Sequence, residues 1–221
     1  MKKEFNNLIE AVEAQGNKNF IIFDMDGLIF DTERTFMEQL AIAMMEKGYT
    51  LTREKYTETL GLGGERLKRI MYETYGDDYP FEETSHIAMD RIRKILESVG
   101  LTIKPGIAEL LEYLRQKGRK CAVASSTHSD MVEEYLEKSN LRKYFEVIIG
   151  GEKVKMSKPE PDIFLLACEK LGCSPSEAVV LEDSENGVRA AAAAGIKVVC
   201  VPDLKEPCKE VYKMASAVVR I

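Results

Sequence analysis

The sequence contains few of the residues and patterns that mark several protein classes. Two histidines in 221 residues are too few for a histidine-rich zinc site. The five cysteines are an odd number without a Cys-x-x-Cys pair, which favours reduced, buried thiols over a disulfide framework. No run approaches the ~18 apolar residues of a membrane span, and residues 1–18 lack the apolar block of a signal peptide. We therefore expect a cytoplasmic protein that does not bind membranes.

Positive charge is also scarce. The chain has 31 Lys and Arg against 37 Asp and Glu, a net charge of −6, and it has no basic run, so nucleic acid is not an expected partner. A composition of 45% hydrophobic and 31% charged residues is typical of a globular protein. The length is sufficient for one large core with a small accessory domain.

Short apolar segments alternate with helical segments over most of the chain. Residues 19–23 form a continuous apolar run that suits a strand buried on both faces. Further strands are predicted at 120–125, 146–149, 178–182 and 197–201. The alternation predicts an α/β fold, a three-layer, Rossmann-like parallel sheet covered by helices on both faces. We assign 19–32 and 99–221 to this core, and 1–18 to an N-terminal extension with an amphipathic helix over 4–15 packed on the outside.

The segment 33–98 has a different character. Its apolar residues recur at helical spacing, and glycine-rich breaks separate the helical runs. The predicted helices are 33–47, 52–60, 64–75 and 81–98. We therefore expect a four-helix-bundle cap domain inserted after the first strand. Because ligands of open α/β sheets bind outside the carboxyl ends of the strands, such a cap is placed to act as a lid.

Polar motifs lie at or beyond the carboxyl ends of the predicted strands. They are Asp24-Met25-Asp26-Gly27, Ser125-Ser126-Thr127, Lys158-Pro159 and Glu182-Asp183. Each motif alone is compatible with an ordinary turn, helix cap or loop. Because the carboxyl ends of parallel strands share one edge of the sheet, we expect the carboxylates and the lysine to converge there.

Such a cluster predicts phosphoryl transfer. Carboxylates this close raise one another's pKa values, a divalent cation relieves the repulsion, and oxygen ligands favour Mg²⁺. Ser125, Lys158 and turn amides can hold phosphate oxygens. A carboxylate can act as the nucleophile and form an aspartyl phosphate. A second carboxylate two residues later can protonate the leaving oxygen and then activate water.

The same motifs resemble those of the haloacid dehalogenase superfamily. The closest resemblance is to its branch with β-phosphoglucomutases and small sugar-phosphate phosphatases. Residues 23–33, Ser125, residues 158–164 and residues 181–187 match the four motifs of the superfamily. The resemblance covers about residues 19–205.

The resemblance implies catalytic and metal-binding roles. Asp24 would be the nucleophile and Asp26 the general acid and base. Mg²⁺ would be held by the Asp24 side chain, the Asp26 backbone carbonyl and Asp183, with Glu182 as a further or outer ligand. Dehalogenases and phosphonatases of the superfamily lack the second aspartate of the first motif, so Asp26 argues against both.

The resemblance also implies a phosphate-binding set. Ser125 and Lys158 would bind the phosphate through their side chains. Met25 and Ser126 would offer their backbone amides. The helical segment would be the cap of the family, on which Glu33, Arg34 and Arg66 are our candidates for substrate contact.

The destination of the phosphoryl group separates two alternatives. β-Phosphoglucomutases carry a histidine where Phe36 stands here, and a basic pair matching about Leu60 and Gly64. A mutase needs cations for a second phosphate, and Arg34 and Arg66 do not follow the mutase pattern. We therefore expect a monomeric phosphatase acting on a small phosphorylated metabolite, with a sugar phosphate as its substrate, and keep a phosphosugar mutase as the alternative. A non-catalytic phosphate binder should lack a catalytic acid, and this chain has both.

Overall fold

The computed structural model describes residues 4–60, 64–98 and 100–221. Its strands form one parallel sheet in the order β1-β7-β6-β5-β2-β3-β4. They are β1 (Glu4–Phe5), β2 (Phe20–Phe23), β3 (Lys120–Ala124), β4 (Val147–Ile149), β5 (Ala178–Glu182), β6 (Lys197–Cys200) and β7 (Ala217–Val219). The predicted α/β fold with a parallel sheet is confirmed.

The helices fall into two groups along the chain. They are α1 (Leu8–Glu13), α2 (Thr32–Glu46), α3 (Arg53–Thr59), α4 (Gly64–Tyr75), α5 (Phe81–Ser98), α6 (Ile107–Gln116), α7 (Ser129–Lys138), α8 (Asp162–Leu171), α9 (Glu185–Ala193) and α10 (Lys209–Met214). The chain divides into two compact units, one of Met1–Asp31 with Leu101–Ile221 and one of Thr32–Gly100. The first unit contains the sheet, and the second contains α2 to α5.

The sheet is covered on both faces. Ile21 and Ile22 are adjacent in β2, so their side chains point to opposite faces, and both are fully buried. On the face of Ile22, the strands pack against α8, α9 and α10 in one apolar cluster. On the other side, α6 contacts β3, and α1 contacts both α6 and β7. This two-sided burial explains why the strands are nearly continuous apolar runs.

The N-terminal extension differs from its prediction. Glu4–Phe5 is a strand that pairs in parallel with β7, Glu4 opposite Val218, whereas the sequence predicts a helix from residue 4. The helix begins only at Leu8, where Asn7 Oδ1 accepts a hydrogen bond of 2.8 Å from the amide of Ile9. Neither β1 nor β7 is predicted, because strands of two and three residues are too short to show a period of two.

The second unit is helical over its described residues. Helix α2 packs along α5, and Leu40, Met44 and Ala88 are buried. Among the described residues of this unit, Tyr79 is the largest fully buried side chain, and the centroid of its ring lies 5.1 Å from that of Tyr49. These contacts give the unit an apolar interior of its own.

Among the described residues, no helix combines the length and apolar character needed to cross a membrane.

Candidate active site

The register of three neighbouring strands brings the predicted motifs to one edge of the sheet. Phe23, the last residue of β2, lies opposite Val123 of β3 and Leu181 of β5. The amide of Asp24 continues the ladder by donating to the carbonyl of Leu181 over 3.0 Å. The loops that follow β2, β3 and β5 therefore leave the sheet side by side. The ends of these strands therefore converge as expected.

Lys158 joins two of the predicted carboxylates. Its Nζ donates to Asp24 Oδ1, to Glu182 Oε1 at 3.2 Å and to the carbonyl of Ala124 at 3.1 Å. An ammonium group has three protons, and each has an acceptor here. The Lys158 side chain is 6% exposed, that of Asp24 8% and that of Glu182 1%. Such a buried charged group has little freedom to move.

The buried carboxylates have strongly shifted pKa values. Burial raises the pKa of Asp24 to about 7, with Glu182 and Asp26 adding to the rise and Lys158 opposing it. Burial and the charges of Glu182 and Asp24 also hold the pKa of Asp183 well above its usual range. Burial lowers the pKa of Lys158, but the adjacent carboxylates of Asp24 and Glu182 raise it by more. The site thus holds more negative charge than its lysine neutralises.

Two glycines leave room for the carboxylates. A Cβ on Gly187 would overlap the carboxylate of Glu182 and lie only 2.6 Å from its Cγ, and a Cβ on Gly27 would lie 3.0 Å from Asp183 Cγ. Gly27 also has φ +78°, which an L side chain rarely adopts. Glu182 Oε2 accepts a hydrogen bond of 2.6 Å from the amide of Ser184. The carboxylates of Asp183 and Glu182 therefore occupy space that is open only because positions 27 and 187 are glycine.

Asp24, Glu182 and Asp183 fit a divalent metal ion. One oxygen from each lies within 4.8 Å of the others. The donors are all carboxylate oxygens, the set that hard cations prefer. The charge of Glu182 adds to the rise that burial causes in the pKa values of Asp24 and Asp183, and a cation would relieve this repulsion. This is the acidic cluster expected from the sequence. The predicted ligand set also includes the backbone carbonyl of Asp26, and this metal contact stays a prediction.

Asp26 is held by hydroxyl groups from the loop after β3. Ser125 Oγ donates to Asp26 Oδ2 over 3.1 Å, and Thr127 Oγ1 donates to the same oxygen over 2.7 Å. The amide of Thr127 in turn donates to Ser125 Oγ over 3.0 Å. No role is predicted for Thr127 from the sequence, although it completes the run Ser125-Ser126-Thr127 at a strand end. Its place in this hydroxyl run indicates that it lies near the site, but nothing in the sequence indicates that its side chain reaches Asp26.

The remaining predicted residues lie in three places. Met25 is fully buried in the turn after β2, where its carbonyl accepts from the amide of Ile29 over 2.9 Å. Ser126 is exposed on the loop after β3. Glu33, Arg34 and Arg66 belong to the second unit, and their contact with substrate stays a prediction.

Within the second unit, Glu33 has a specific partner. Its Oε2 accepts a hydrogen bond of 2.8 Å from the hydroxyl of Tyr56. The Tyr56 ring lies 6.3 Å from that of Phe36, the residue that stands where the mutases have histidine. Arg66 is exposed on α4.

Comparison with known proteins identifies the family. Residues 21–201 match the model of the haloacid dehalogenase-like hydrolases. The chain belongs to this family. The superfamily and branch predicted from the motifs are thereby confirmed.

Individual relatives in the haloacid dehalogenase-like family agree with this. A phosphorylated carbohydrates phosphatase of Thermotoga maritima is 33% identical over 80% of this chain and 82% of that protein. Hexitol phosphatase B of Escherichia coli is 31% identical over 82% of each chain. A solved Thermotoga maritima protein, provisionally assigned as a β-phosphoglucomutase, is 31% identical with a TM-score of 0.76, covering 91% of this chain and 94% of that one. The predicted enzyme class, a phosphoric monoester hydrolase, is confirmed.

Proposed function

We propose that this chain is a Mg²⁺-dependent phosphatase that hydrolyses a small phosphorylated carbohydrate through an aspartyl phosphate on Asp24. The observation that carries the proposal is the contact of one lysine with two carboxylates at the strand ends. Lys158 touches both Asp24 and Glu182, and these two cluster with Asp183. This is the combination of nucleophile, cation and metal ligands that phosphoryl transfer requires.

In the first step, an oxygen of Asp24 attacks the phosphorus, and the bond from phosphorus to the sugar oxygen breaks. Lys158 orients Asp24 through Oδ1 and offsets charge on the transferring group. The buried carboxylate must be ionised to attack, and the ammonium favours that form. The product of this step is phosphorylated Asp24 and a free alcohol.

Asp26 supplies and removes the proton. Because Ser125 and Thr127 both donate to its Oδ2, we place the transferred proton on Oδ1. The protonated acid gives this proton to the leaving sugar oxygen. It then takes a proton from the water that attacks phosphorus, and the bond between Asp24 and phosphorus breaks to release phosphate.

Asp24, Glu182 and Asp183 would hold the Mg²⁺, with the Asp26 backbone carbonyl as the further ligand expected from the family. When bound, the ion supplies positive charge that stabilises the phosphoryl group in the transition state. The residues themselves position the nucleophile and limit its contact with water, since the Asp24 side chain is only 8% exposed.

The substrate class comes from the relatives. The Thermotoga maritima phosphatase is named for phosphorylated carbohydrates, and hexitol phosphatase B for hexitols. We propose a small phosphorylated carbohydrate for this chain, bound by the monomer in the cytoplasm. A screen of sugar and sugar-alcohol phosphates, read by phosphate release, identifies which one.

The substitution Asp24→Asn tests the nucleophile. We expect it to abolish hydrolysis of p-nitrophenyl phosphate without unfolding the protein, because an amide of the same shape cannot attack phosphorus. The matched control is Asp90→Asn, an exposed residue on α5, which should retain wild-type activity. A near wild-type rate in Asp24→Asn would show that the nucleophile is elsewhere.

The mutase alternative has its own assay. β-Glucose 1-phosphate with a trace of the 1,6-bisphosphate is converted to glucose 6-phosphate by a mutase and to free phosphate by a phosphatase. With Phe36 packed on Tyr56 at the position of the mutase histidine, we expect free phosphate to appear faster. Faster formation of glucose 6-phosphate would favour the mutase.

A further inference from the structure

A second buried ion pair lies next to the candidate metal site. Lys104 Nζ donates to Asp203 Oδ1, and the two side chains are 10% and 5% exposed. Lys104 lies in the short segment before α6, and its amide donates to the carbonyl of Ile29 over 2.9 Å. Asp203 follows β6. The pair therefore connects two loops at the same edge of the sheet as the catalytic residues.

One oxygen of this pair has no hydrogen-bond partner among the described residues. Asp203 Oδ2 is buried and accepts nothing. Lys104 donates only to Oδ1. Because a buried carboxylate oxygen normally accepts a hydrogen bond, we expect Oδ2 to have a donor outside the described residues.

This oxygen lies beside Asp183. The position that a Cβ of Gly27 would occupy is 3.0 Å from Asp183 Cγ and 3.3 Å from Asp203 Oδ2. The two aspartates thus approach the same glycine turn. Yet Asp203 is not in the group whose oxygens all lie within 4.8 Å of one another, so it is adjacent to the metal ligands without being one of them.

We propose that Asp203 is a positioning residue of the metal site, whose Oδ2 accepts a hydrogen bond from a water molecule on the Mg²⁺ bound by Asp24, Glu182 and Asp183. This inference rests on the proposed function. Lys104 holds Asp203 in place and neutralises its charge.

The chemistry of Mg²⁺ matches this arrangement. Magnesium gives up its water reluctantly and keeps several molecules when bound to protein. Each such water has two protons that need acceptors. An acceptor one water away from the ion orients that water and strengthens binding, and removal of such a partner typically weakens affinity 10–100-fold.

Magnesium affinity is the readout, independent of activity. MgCl₂ is titrated calorimetrically into EDTA-treated, dialysed protein. We expect Asp203→Ala to weaken binding by about tenfold or more. Asp203→Asn keeps an oxygen that can accept from water and should lie between Asp203→Ala and wild type. An affinity for Asp203→Ala within about twofold of wild type would overturn the proposal.

A double variant excludes a simpler cause. In Asp203→Ala, the unpaired charge of Lys104 could itself repel the ion. The variant Lys104→Met/Asp203→Ala removes both charges, so it should bind Mg²⁺ as weakly as Asp203→Ala if the lost acceptor is the cause. Recovery of wild-type affinity in the double variant would overturn the proposal.

Two further measurements separate folding from binding. Glu13→Ala removes the pair of Glu13 with Arg119, whose side chain is 7% exposed, and should leave Mg²⁺ affinity unchanged. A purely structural role for Asp203 would lower the melting temperature in EDTA without changing the rise on adding Mg²⁺, which would contradict the proposal. If wild-type protein binds no Mg²⁺, the proposed function itself fails.

Discussion

Replacing Gly187 with alanine is expected to destabilise the protein, although alanine normally stabilises a helix. Gly187 lies in α9, where helix propensity alone favours alanine by about 1 kcal/mol. However, a Cβ at this position would overlap the carboxylate of Glu182, which is 1% exposed. The Glu182 side chain must therefore move, and its hydrogen bonds must break.

The size of the effect follows from these hydrogen bonds. Glu182 accepts from the amide of Ser184 at 2.6 Å and from Lys158 at 3.2 Å. Hydrogen bonds to charged groups contribute about 1.5–3 kcal/mol each. After subtracting the gain in helix propensity, we expect a loss of about 2–5 kcal/mol. For a chain of this length, that is a fall in Tm of roughly 4–20 °C.

Thermal unfolding of Gly187→Ala with Mg²⁺ present gives the sign directly. A second comparison identifies the cause, since Gly187→Ala made in a Glu182→Ala background meets no carboxylate and should stabilise by about 1 kcal/mol. The reasoning would be refuted by a stabilised single variant, or by equal destabilisation in both backgrounds.

Three further predictions concern the loop after β3 and the metal. Thr127→Val removes the 2.7 Å hydrogen bond to Asp26, and steady-state kinetics should show kcat about tenfold lower with KM little changed. The control Thr57→Val, at a half-buried position on α3, should match wild type, and an unchanged kcat in Thr127→Val would contradict the positioning role. Burial opposes the ionisation of Glu152, but hydrogen bonds from Ser129 lower its pKa from 4.5 to about 2. The charged form therefore stabilises the fold above pH ~4.5, and this stability is lost as the pH falls towards 2. Because Glu152→Ala removes the hydrogen bonds from Ser129, it should cost about 1 kcal/mol at pH 7 and less at lower pH. A cost independent of pH would exclude the charge as its cause. EDTA treatment should abolish activity and lower Tm relative to protein with Mg²⁺, because the buried carboxylates then repel one another; full activity after chelation would exclude a metal requirement.

The core of the site was predictable because topology places it. Once β2, β3 and β5 are parallel neighbours, Asp24, Ser125 and Glu182 must leave the sheet at the same edge. The motifs could be located in the sequence because they follow apolar runs that are recognisable as strands. Lys158 lies further from its strand, and both its position beyond that strand and the resemblance to the family indicated its role.

Other contacts have no such signal. The hydroxyl of Thr127 reaches Asp26 only through the local path of its loop, which no periodicity describes. Lys104 and Asp203 are 99 residues apart in segments without a regular pattern. The strand Glu4–Phe5 depends on β7 at the other end of the chain. Pairings of this kind are set by tertiary packing.

The most direct test of the account is to find where the phosphoryl group is attached during turnover. Enzyme mixed with substrate and Mg²⁺ is quenched in acid and reduced with borohydride, which converts a phosphorylated aspartate to homoserine. Peptide mass spectrometry should then find homoserine at position 24, and none in protein treated without substrate. Modification at another residue, or unmodified Asp24 under conditions of continuing turnover, would contradict the mechanism.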